Sequence, residues 1–311
     1  MKKVLYIQPL HPCGMNFLRG KYEVMVAGTE DHDALKSMVG GFHAIVTRLT
    51  VIDKSIIEAG DKLEVIAKHG VGVDNIDINA AMERNIKIVT TGDANSLSVA
   101  EHAFFTIGAL SKRIAYLDRS VRRGQWGARD EPGSIDITGK KLGVVGIGRI
   151  GANIARMAKN GFNMEVVVYD PFASREDLKT QGYVLVDDLD ELCRIVDFIT
   201  LHVPLSDETQ DLIDERRLQM MKPGAFLINF ARGGIVNEDA LFRALQEKWI
   251  AGAALDAFSI EPPDHTASLF ELPNVILSPH CGTFSEDSRK RMSMRVAEGI
   301  DDILNEGGER R

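Results

Sequence analysis

The chain has 311 residues, 44% of them hydrophobic and 26% charged, with a formal net charge of −8. That length exceeds one ordinary core and suits two domains with sizeable apolar interiors. A pI near 5.6 argues against nucleic-acid binding driven by phosphate attraction. No uncharged run reaches the roughly 20 residues that a membrane helix needs.

Cys13, Cys193 and Cys281 stand far apart without metal-ligand spacing. This fits a reducing cytoplasm, with neither a disulfide framework nor a metal site. The opening MKKVLYIQPL is basic, but Gln8 and Pro9 break its apolar run, so it reads as a first strand and not as a signal peptide.

Strand and helix patterns alternate through the first hundred residues. Val4 to Ile7, Glu23 to Val26, Ala44 to Val46, Leu63 to Ala67 and Lys87 to Val89 read as short strands, with helices such as Asp33 to Met38 and Ile76 to Arg84 between them. The alternation predicts a small α/β domain on a parallel sheet. One long helix is predicted from Ser98 to Val121, with Ser96 or Ser98 as N-cap and Glu101 at capping-box distance from Ser98. Its polar second half leads into RRGQWGARDEPGS. The stretch from Ser111 to Ser134 reads either as a solvated arm or as a subunit contact, since Trp126 is costly to expose.

Lys140 to Asp170 is the most informative segment. Leu142 to Val145 is an apolar run long enough for a buried parallel strand. Gly146, Gly148 and Gly151 follow in G-x-G-x-x-G spacing, then a helical pattern from Ile150 to Asn160 that Gly161 would stop. Glu165 to Tyr169 forms the next strand, closed by Asp170. This is the dinucleotide fingerprint. Gly146 permits the tight turn, Gly148 lets backbone approach a pyrophosphate, and Gly151 lets helix and strand pack closely. The helix N-terminus offers N–H groups to phosphates. Asp170 can accept both hydroxyls of an adenine ribose and would repel a ribose phosphate, which favours NAD over NADP. Taken alone, the glycines also fit a structural βαβ turn.

Further strands are predicted at Phe198 to His202, Ala225 to Asn229, Gly252 to Leu255 and Val275 to Leu277. Helices fit Asp187 to Ile195, Asp214 to Met221 and Glu238 to Glu247, the last with Asn237 as N-cap. The final amphipathic helix, Glu286 to Asn305, aligns Met292, Val296, Ile300 and Ile303 and is expected to return to the first domain.

Three groups stand at strand-to-loop junctions: Arg232 in NFARGGIVNED, Glu261 in LDAFSIEPP and His280 in VILSPHCG. Open parallel sheets bind ligands outside the carboxyl ends of their strands, so the three can converge on one crevice. Taken alone, Arg232 reads as a surface-turn residue, Glu261 as a turn cap and His280 as a satisfied, half-buried histidine.

With KHGVGVDNID, ANSLSVAEHAF, GVVGIGRIG and YDP, LHVPLSDET, MKPGAFLINFARGGIVNEDAL, ALDAFSIEP and SPHCG, the chain resembles the D-isomer-specific 2-hydroxyacid dehydrogenase family over nearly its whole length. GVGVDNID and RRGQW are most similar to its D-3-phosphoglycerate dehydrogenase-like branch. The resemblance implies His280 as general acid/base, Glu261 as its orienting partner and Arg232 as the grip on the substrate carboxylate. It implies backbone N–H groups of Val71 and Gly72 on that carboxylate, and Arg48 near a distal anionic group. It implies NAD contacts from Gly146, Gly148, Arg149, Ile150, Gly151, Asp170, His202, Pro204, Thr209, Ala231, Asp256, His280 and Gly282.

Lys68 and His69 are candidate specificity positions beside the substrate turn. Asn95, Ser96 and Ser98 either line the crevice or cap the helix, Arg48 is equally an ordinary basic residue after a strand, and Cys281 reads as packing. No metal is implied.

The implied fold is two doubly wound parallel-sheet α/β domains. Residues 98–282 form a Rossmann-type cofactor domain, and residues 1–97 form a flavodoxin-like, discontinuous substrate domain to which 283–311 return. Crossings near Ser98 and Gly282 make a hinge whose closure would exclude water. The implied partners are a small anionic 2-hydroxy or 2-oxo acid and a second copy of the chain, with no nucleic acid or membrane. The chain ends soon after the returning helix, so the regulatory domains and serine feedback of longer phosphoglycerate dehydrogenases are not expected.

An NAD(H)-sensing, corepressor-like interaction protein is the alternative on the same scaffold. A formate dehydrogenase fits less well, since that relative carries glutamine where this chain has Glu261. Zinc-dependent alcohol oxidation lacks its ligand spacing.

Overall fold

The computed structural model of the chain describes residues 1–306. The chain divides into two compact units, Met1–Asn95 together with the segment from Thr283 onward, and Ser96–Gly282.

The first unit begins β1 (Lys3–Tyr6), α1 (Pro12–Arg19), β2 (Glu23–Val26), α2 (His32–Met38), β3 (Ala44–Thr47), α3 (Lys54–Ala59), β4 (Val65–Lys68), α4 (Ile78–Glu83) and β5 (Lys87–Val89). Its strands are all parallel in the order β2-β1-β3-β4-β5, the flavodoxin-like winding. Strands β3 and β4 are buried at every position, as a central strand covered on both faces must be. Asp31, Asp53 and Asp77 start α2, α3 and α4 by accepting the N–H three residues on. That cap moves the start of α4 to Ile78, two residues beyond the apolar pattern's own beginning.

The second unit continues with α5 (Ser96–Ser111), α6 (Ile114–Arg122), β6 (Lys141–Val145), α7 (Arg149–Phe162), β7 (Glu165–Tyr169), α8 (Arg175–Thr180), β8 (Val184–Leu185), α9 (Leu189–Ile195), β9 (Phe198–Leu201), α10 (Glu215–Met220), β10 (Phe226–Asn229), α11 (Glu238–Gln246), β11 (Gly252–Leu255) and β12 (Val275–Leu277). Its seven parallel strands run β12-β11-β10-β9-β6-β7-β8. Counted from β6, this is the Rossmann order with one further strand. Apolar layers cover both faces, one around Val145, Leu192, Leu227 and Leu241, the other around Ile107, Val144, Ile154 and Phe198.

The last helix, α12 (Glu286–Glu306), belongs to the first unit. Met292, Val296 and Ile300 are buried, joined by Ala297 and Leu304. The last four of these pack in one cluster with Val4, Tyr6 and Leu18. Tyr22 donates its hydroxyl to Asp301 at 2.8 Å.

Three local expectations are corrected. The single helix from Ser98 to Val121 is two helices, broken where Arg113 takes a left-handed φ of 52°. No glycine or proline marks the break. Tertiary ties hold it: Arg113 donates to the Pro132 carbonyl at 2.8 Å and to Glu131 at 3.2 Å, and its guanidinium sits 4.2 Å from the Tyr116 ring. Ser98 is no cap, because it lies inside α5 and donates its hydroxyl to the Gly282 carbonyl at 3.0 Å. Helix α7 runs past Gly161 and ends on Asn163, which takes the left-handed cap position at φ 51°. Among the described residues, no helix is long and apolar enough to cross a membrane.

Candidate active site

In the second unit the fingerprint glycines each meet a separate constraint. Gly146 has φ +88°, and a Cβ there would stand 2.8 Å from the His202 carbonyl oxygen. A Cβ on Gly151 would stand 2.1 Å from the Gly146 carbonyl oxygen, so the first turn of α7 packs directly on the loop. At Gly148 a Cβ would meet nothing within 4 Å. Gly148 is the N-cap of α7 and caps it with no side chain, leaving the first N–H groups of Arg149 and Ile150 to serve an anion.

Asp170 follows β7 and reaches back to the same loop. Its Oδ2 accepts the Ile147 N–H at 2.9 Å and its Oδ1 accepts the Phe172 N–H at 2.9 Å. A carboxylate has lone pairs beyond those two bonds. Open backbone above Gly148, an uncapped helix start and a carboxylate fixed beside them fit a dinucleotide.

The catalytic candidates lie along the same edge. Strands β10, β11 and β12 are neighbours, with Asn229 opposite Leu255 and Leu255 opposite Leu277. The loops carrying Arg232, Glu261 and His280 therefore leave the sheet at one level. Glu261 and His280 meet directly: Nδ1 of His280 lies 2.8 and 3.0 Å from the two carboxylate oxygens. That contact assigns the proton to Nδ1 and leaves Nε2 as the working nitrogen. Glu261 is itself held by the Phe258 N–H at 3.0 Å. Both side chains are about one-third exposed, at 35% and 33%.

His280 adopts φ +49°, a costly conformation for a residue with a Cβ. Asp256 is what holds it. This carboxylate is 3% exposed and accepts from Ser278 Oγ at 2.6 Å, the Cys281 N–H at 2.8 Å and the Gly282 N–H at 2.8 Å. It grips the loop on both sides of His280.

The Arg232 loop is tied in by Asn229, whose side chain accepts the Ala231 N–H and donates to the Arg232 carbonyl. A Cβ on Gly233 would overlap the Phe258 carbonyl at 1.9 Å, so the Arg232 loop lies backbone to backbone against the loop leading to Glu261.

His202 follows β9. Its Nε2 pairs with Thr200 at 2.9 Å, while Nδ1 is buried without a partner. Burial pushes its pKa down to about 3, so the ring is neutral. Thr209 donates to the Pro204 carbonyl at 2.6 Å and so organises the turn that begins at Pro204.

The remaining candidates lie in the first unit. Arg48 follows β3, and Val71 and Gly72 follow its neighbour β4. Lys68 does not present its ammonium as a separate specificity group: it is bound to the Arg48 carbonyl and to Asn75. His69 is 6% exposed with neither ring nitrogen partnered. Asn95 is buried with Oδ1 unpartnered. Sequence reasoning missed Phe284. The Arg48 guanidinium lies 4.4 Å from the Phe284 ring centre. No local motif marks Phe284, because it reaches Arg48 only through the returning chain. Among the described residues, no cluster of His, Cys, Asp and Glu is arranged to hold a metal.

Residues 104–282 match the family model of the D-isomer specific 2-hydroxyacid dehydrogenase NAD binding domain. The chain is 41% identical over 305 residues to D-3-phosphoglycerate dehydrogenase of Methanocaldococcus jannaschii, covering 98% of this chain and 58% of that one. It is 39% identical over 308 residues to glyoxylate reductase of Pyrococcus horikoshii, covering 96% and 91%. It thus spans 54–58% of the length of three phosphoglycerate dehydrogenases that it matches at 39–41% identity. Among solved structures, the TT0316 protein of Thermus thermophilus superposes with a TM-score of 0.91 at 32% identity, covering 99% and 98% of the two chains.

Proposed function

The chain belongs to the D-isomer specific 2-hydroxyacid dehydrogenase family, and on that premise we propose that it transfers a hydride between NAD and a small anionic D-2-hydroxy acid or its 2-oxo counterpart. The observation that carries the reading is the His280–Glu261 pair, standing beside the Arg232 loop on the edge that also holds the fingerprint. Bound NAD supplies the hydride acceptor or, reduced, the donor.

The protein's own groups do the rest. Nε2 of His280 takes the hydroxyl proton during oxidation and returns it during reduction, while Glu261 keeps the other nitrogen protonated and stabilises the imidazolium. Arg232 binds the substrate carboxylate and polarises the carbonyl. Val71 and Gly72 offer N–H groups to the same carboxylate. Gly146, Gly148, Arg149, Ile150 and Gly151 hold the pyrophosphate and Asp170 the adenine ribose, which favours NAD over NADP. His202, Pro204, Thr209, Ala231, Asp256 and Gly282 line the remainder of the cofactor site, Asp256 also positioning His280.

Two copies associate through the arm of the second unit, Ser111 to Ser134, where Ile114, Val121 and Trp126 are exposed apolar side chains. The free cysteines suit a cytoplasmic setting.

The test is NADH oxidation against glyoxylate, pyruvate, phosphohydroxypyruvate and sulfopyruvate, with NADPH in parallel. Turnover that His280→Ala abolishes supports the reading. Tight NADH binding without turnover of any 2-oxo acid overturns it and favours a cofactor-sensing role.

A further inference from the structure

Away from the catalytic edge, the first unit holds a cysteine with a base and an orienting acid. Cys13 lies in the first turn of α1, and His11 is the N-cap of that helix. Nδ1 of His11 stands 2.9 Å from Cys13 Sγ and also accepts the Cys13 N–H at 3.3 Å. Nε2 of the same ring stands 3.0 Å from Oε1 of Glu286, in the first turn of α12. Nδ1 faces two donors and Nε2 faces a carboxylate, so the ring proton sits on Nε2 and Nδ1 is the acceptor. A nucleophile, a base and an orienter in hydrogen-bond reach of one another are what activates a thiol.

Packing between distant residues builds this corner. A Cβ on Gly14 would stand 2.3 Å from the Ser293 carbonyl oxygen, so α1 lies directly against α12. Ser293 Oγ donates to the His11 carbonyl at 2.8 Å, and the Lys290 carbonyl lies 3.5 Å from Cys13 Sγ. Cys13 is free and partly exposed, and the Glu286 side chain beyond the imidazole is 73% exposed, so a small molecule can reach the sulfur.

The other two cysteines sit in surroundings that keep a thiol inert. Burial pushes the Cys193 thiol up to about 12, and burial followed by the Asp256 carboxylate raises that of Cys281. Among the described residues, Cys13 is the cysteine that hydrogen-bonds a histidine.

The Tyr6 hydroxyl marks the same corner. Tyr6 ends β1 on the face that α1 and α12 cover, and its hydroxyl is buried without a partner. Burial, then the charge of Cys13, raises its pKa, so the phenol keeps its proton. Buried polar groups are ordinarily paired, so this donor is left to a group that arrives.

We propose that Cys13 is a redox-modification site, which forms a mixed disulfide with a small-molecule disulfide. The site stands apart from the dehydrogenase reading and does not depend on it. As Sγ attacks one sulfur of the disulfide, its proton passes to Nδ1 of His11, and Glu286 stabilises the imidazolium. The new Sγ–S bond forms as the old S–S bond breaks, and the departing thiolate leaves as a thiol with the proton from His11. Cys13 is oxidised and the small disulfide is reduced, so no other oxidant enters. Attack by a small thiol on the mixed disulfide reverses the step. The Lys290 carbonyl beside the sulfur is an acceptor, so the His11 proton serves the leaving group, and one proton is enough for a thiolate. Glu286 is a positioning residue.

The experiment exposes the reduced full chain to oxidised glutathione and locates adducts by peptide mass mapping. Rates are compared with those of the same chain unfolded in urea. Cys13 should take the adduct first and react faster folded than in urea, whereas Cys193 and Cys281 should react faster in urea. Dithiothreitol should remove the adduct. His11→Asn keeps an N-cap acceptor without the base, and should slow the Cys13 reaction by on the order of tenfold or more. Glu286→Ala should slow it less, and Glu286→Gln, which still accepts the Nε2 proton, should recover part of that loss. A Cys281 that reacts as fast as Cys13 in the folded chain, a Cys13 that reacts faster in urea, or a His11→Asn variant at the wild-type rate overturns the proposal.

Discussion

At the carboxyl edge of the second sheet the chemistry-bearing side chains are satisfied within the fold, His202 Nδ1 excepted, whereas at that of the first sheet several polar groups are not. On the second sheet Asp256 accepts three hydrogen bonds, and Glu261 accepts from both Phe258 and His280. On the first sheet His69, Thr91 and Asn95 are buried with atoms unpartnered. The contrast separates two kinds of site. Acid–base chemistry needs a group held in one geometry before the substrate arrives, so its partners are built into the fold. Buried groups without partners in the fold are left for something outside it to satisfy, or cost stability.

The comparison breaks first, if it breaks, at the working group itself. His280→Gln should lower kcat by about 10²–10⁴-fold with a smaller change in KM, as loss of a general acid/base does. A loss confined to KM in steady-state assays would mean that His280 only binds.

Next in size is the clamp beneath it. Asp256→Asn replaces an oxygen that accepts N–H groups with a donor, in a buried site. We expect a stability loss of about 1–3 kcal/mol in denaturant titrations, together with reduced kcat because His280 no longer keeps its left-handed backbone. Unchanged stability would show that the loop holds its shape without the carboxylate.

Asp170→Ala should narrow the preference for NADH over NADPH by on the order of tenfold, which corresponds to ~1.4 kcal/mol. A constant ratio of kcat/KM values would remove Asp170 from cofactor selection.

The smallest effect compares the two buried histidines. His202 and His69 have pKa values lowered from 6.5 to about 3 and about 4, by burial in both cases and at His69 also by Arg48. The unfolded chain therefore binds protons below pH 6.5 that the folded chain refuses. Stability is intact above that pH and falls as the pH drops, His69 ceasing to contribute near pH 4 and His202 near pH 3. Thermal midpoints measured across this range should fall less steeply in His202→Asn. In His69→Gln the slope should flatten mainly above pH 4. Parallel slopes in all three proteins would show that neither ring stays neutral on folding.

Much of this site was legible in the sequence because its signals are short-range. The G-x-G-x-x-G spacing, the acid closing β7, and Arg232, Glu261 and His280 at strand ends are each visible within a few residues. The alternation of apolar runs and helical periods carried both doubly wound sheets for the same reason.

What only the tertiary structure decided depends on distant contacts. Nothing local in SKRIAY announces the break at Arg113, which Glu131 and Pro132 enforce. Lys68 read as a specificity residue, yet its ammonium is committed to the Arg48 carbonyl and Asn75. Asp256 read as either a structural residue or a cofactor contact, and its clamp on the His280 loop shows only once β11 and β12 lie side by side. Phe284 meets Arg48 because the chain returns to the first unit. A chain's periodicity and motifs report which faces are buried and which loops are tight; which charges then share a loop is set by packing between residues far apart in sequence.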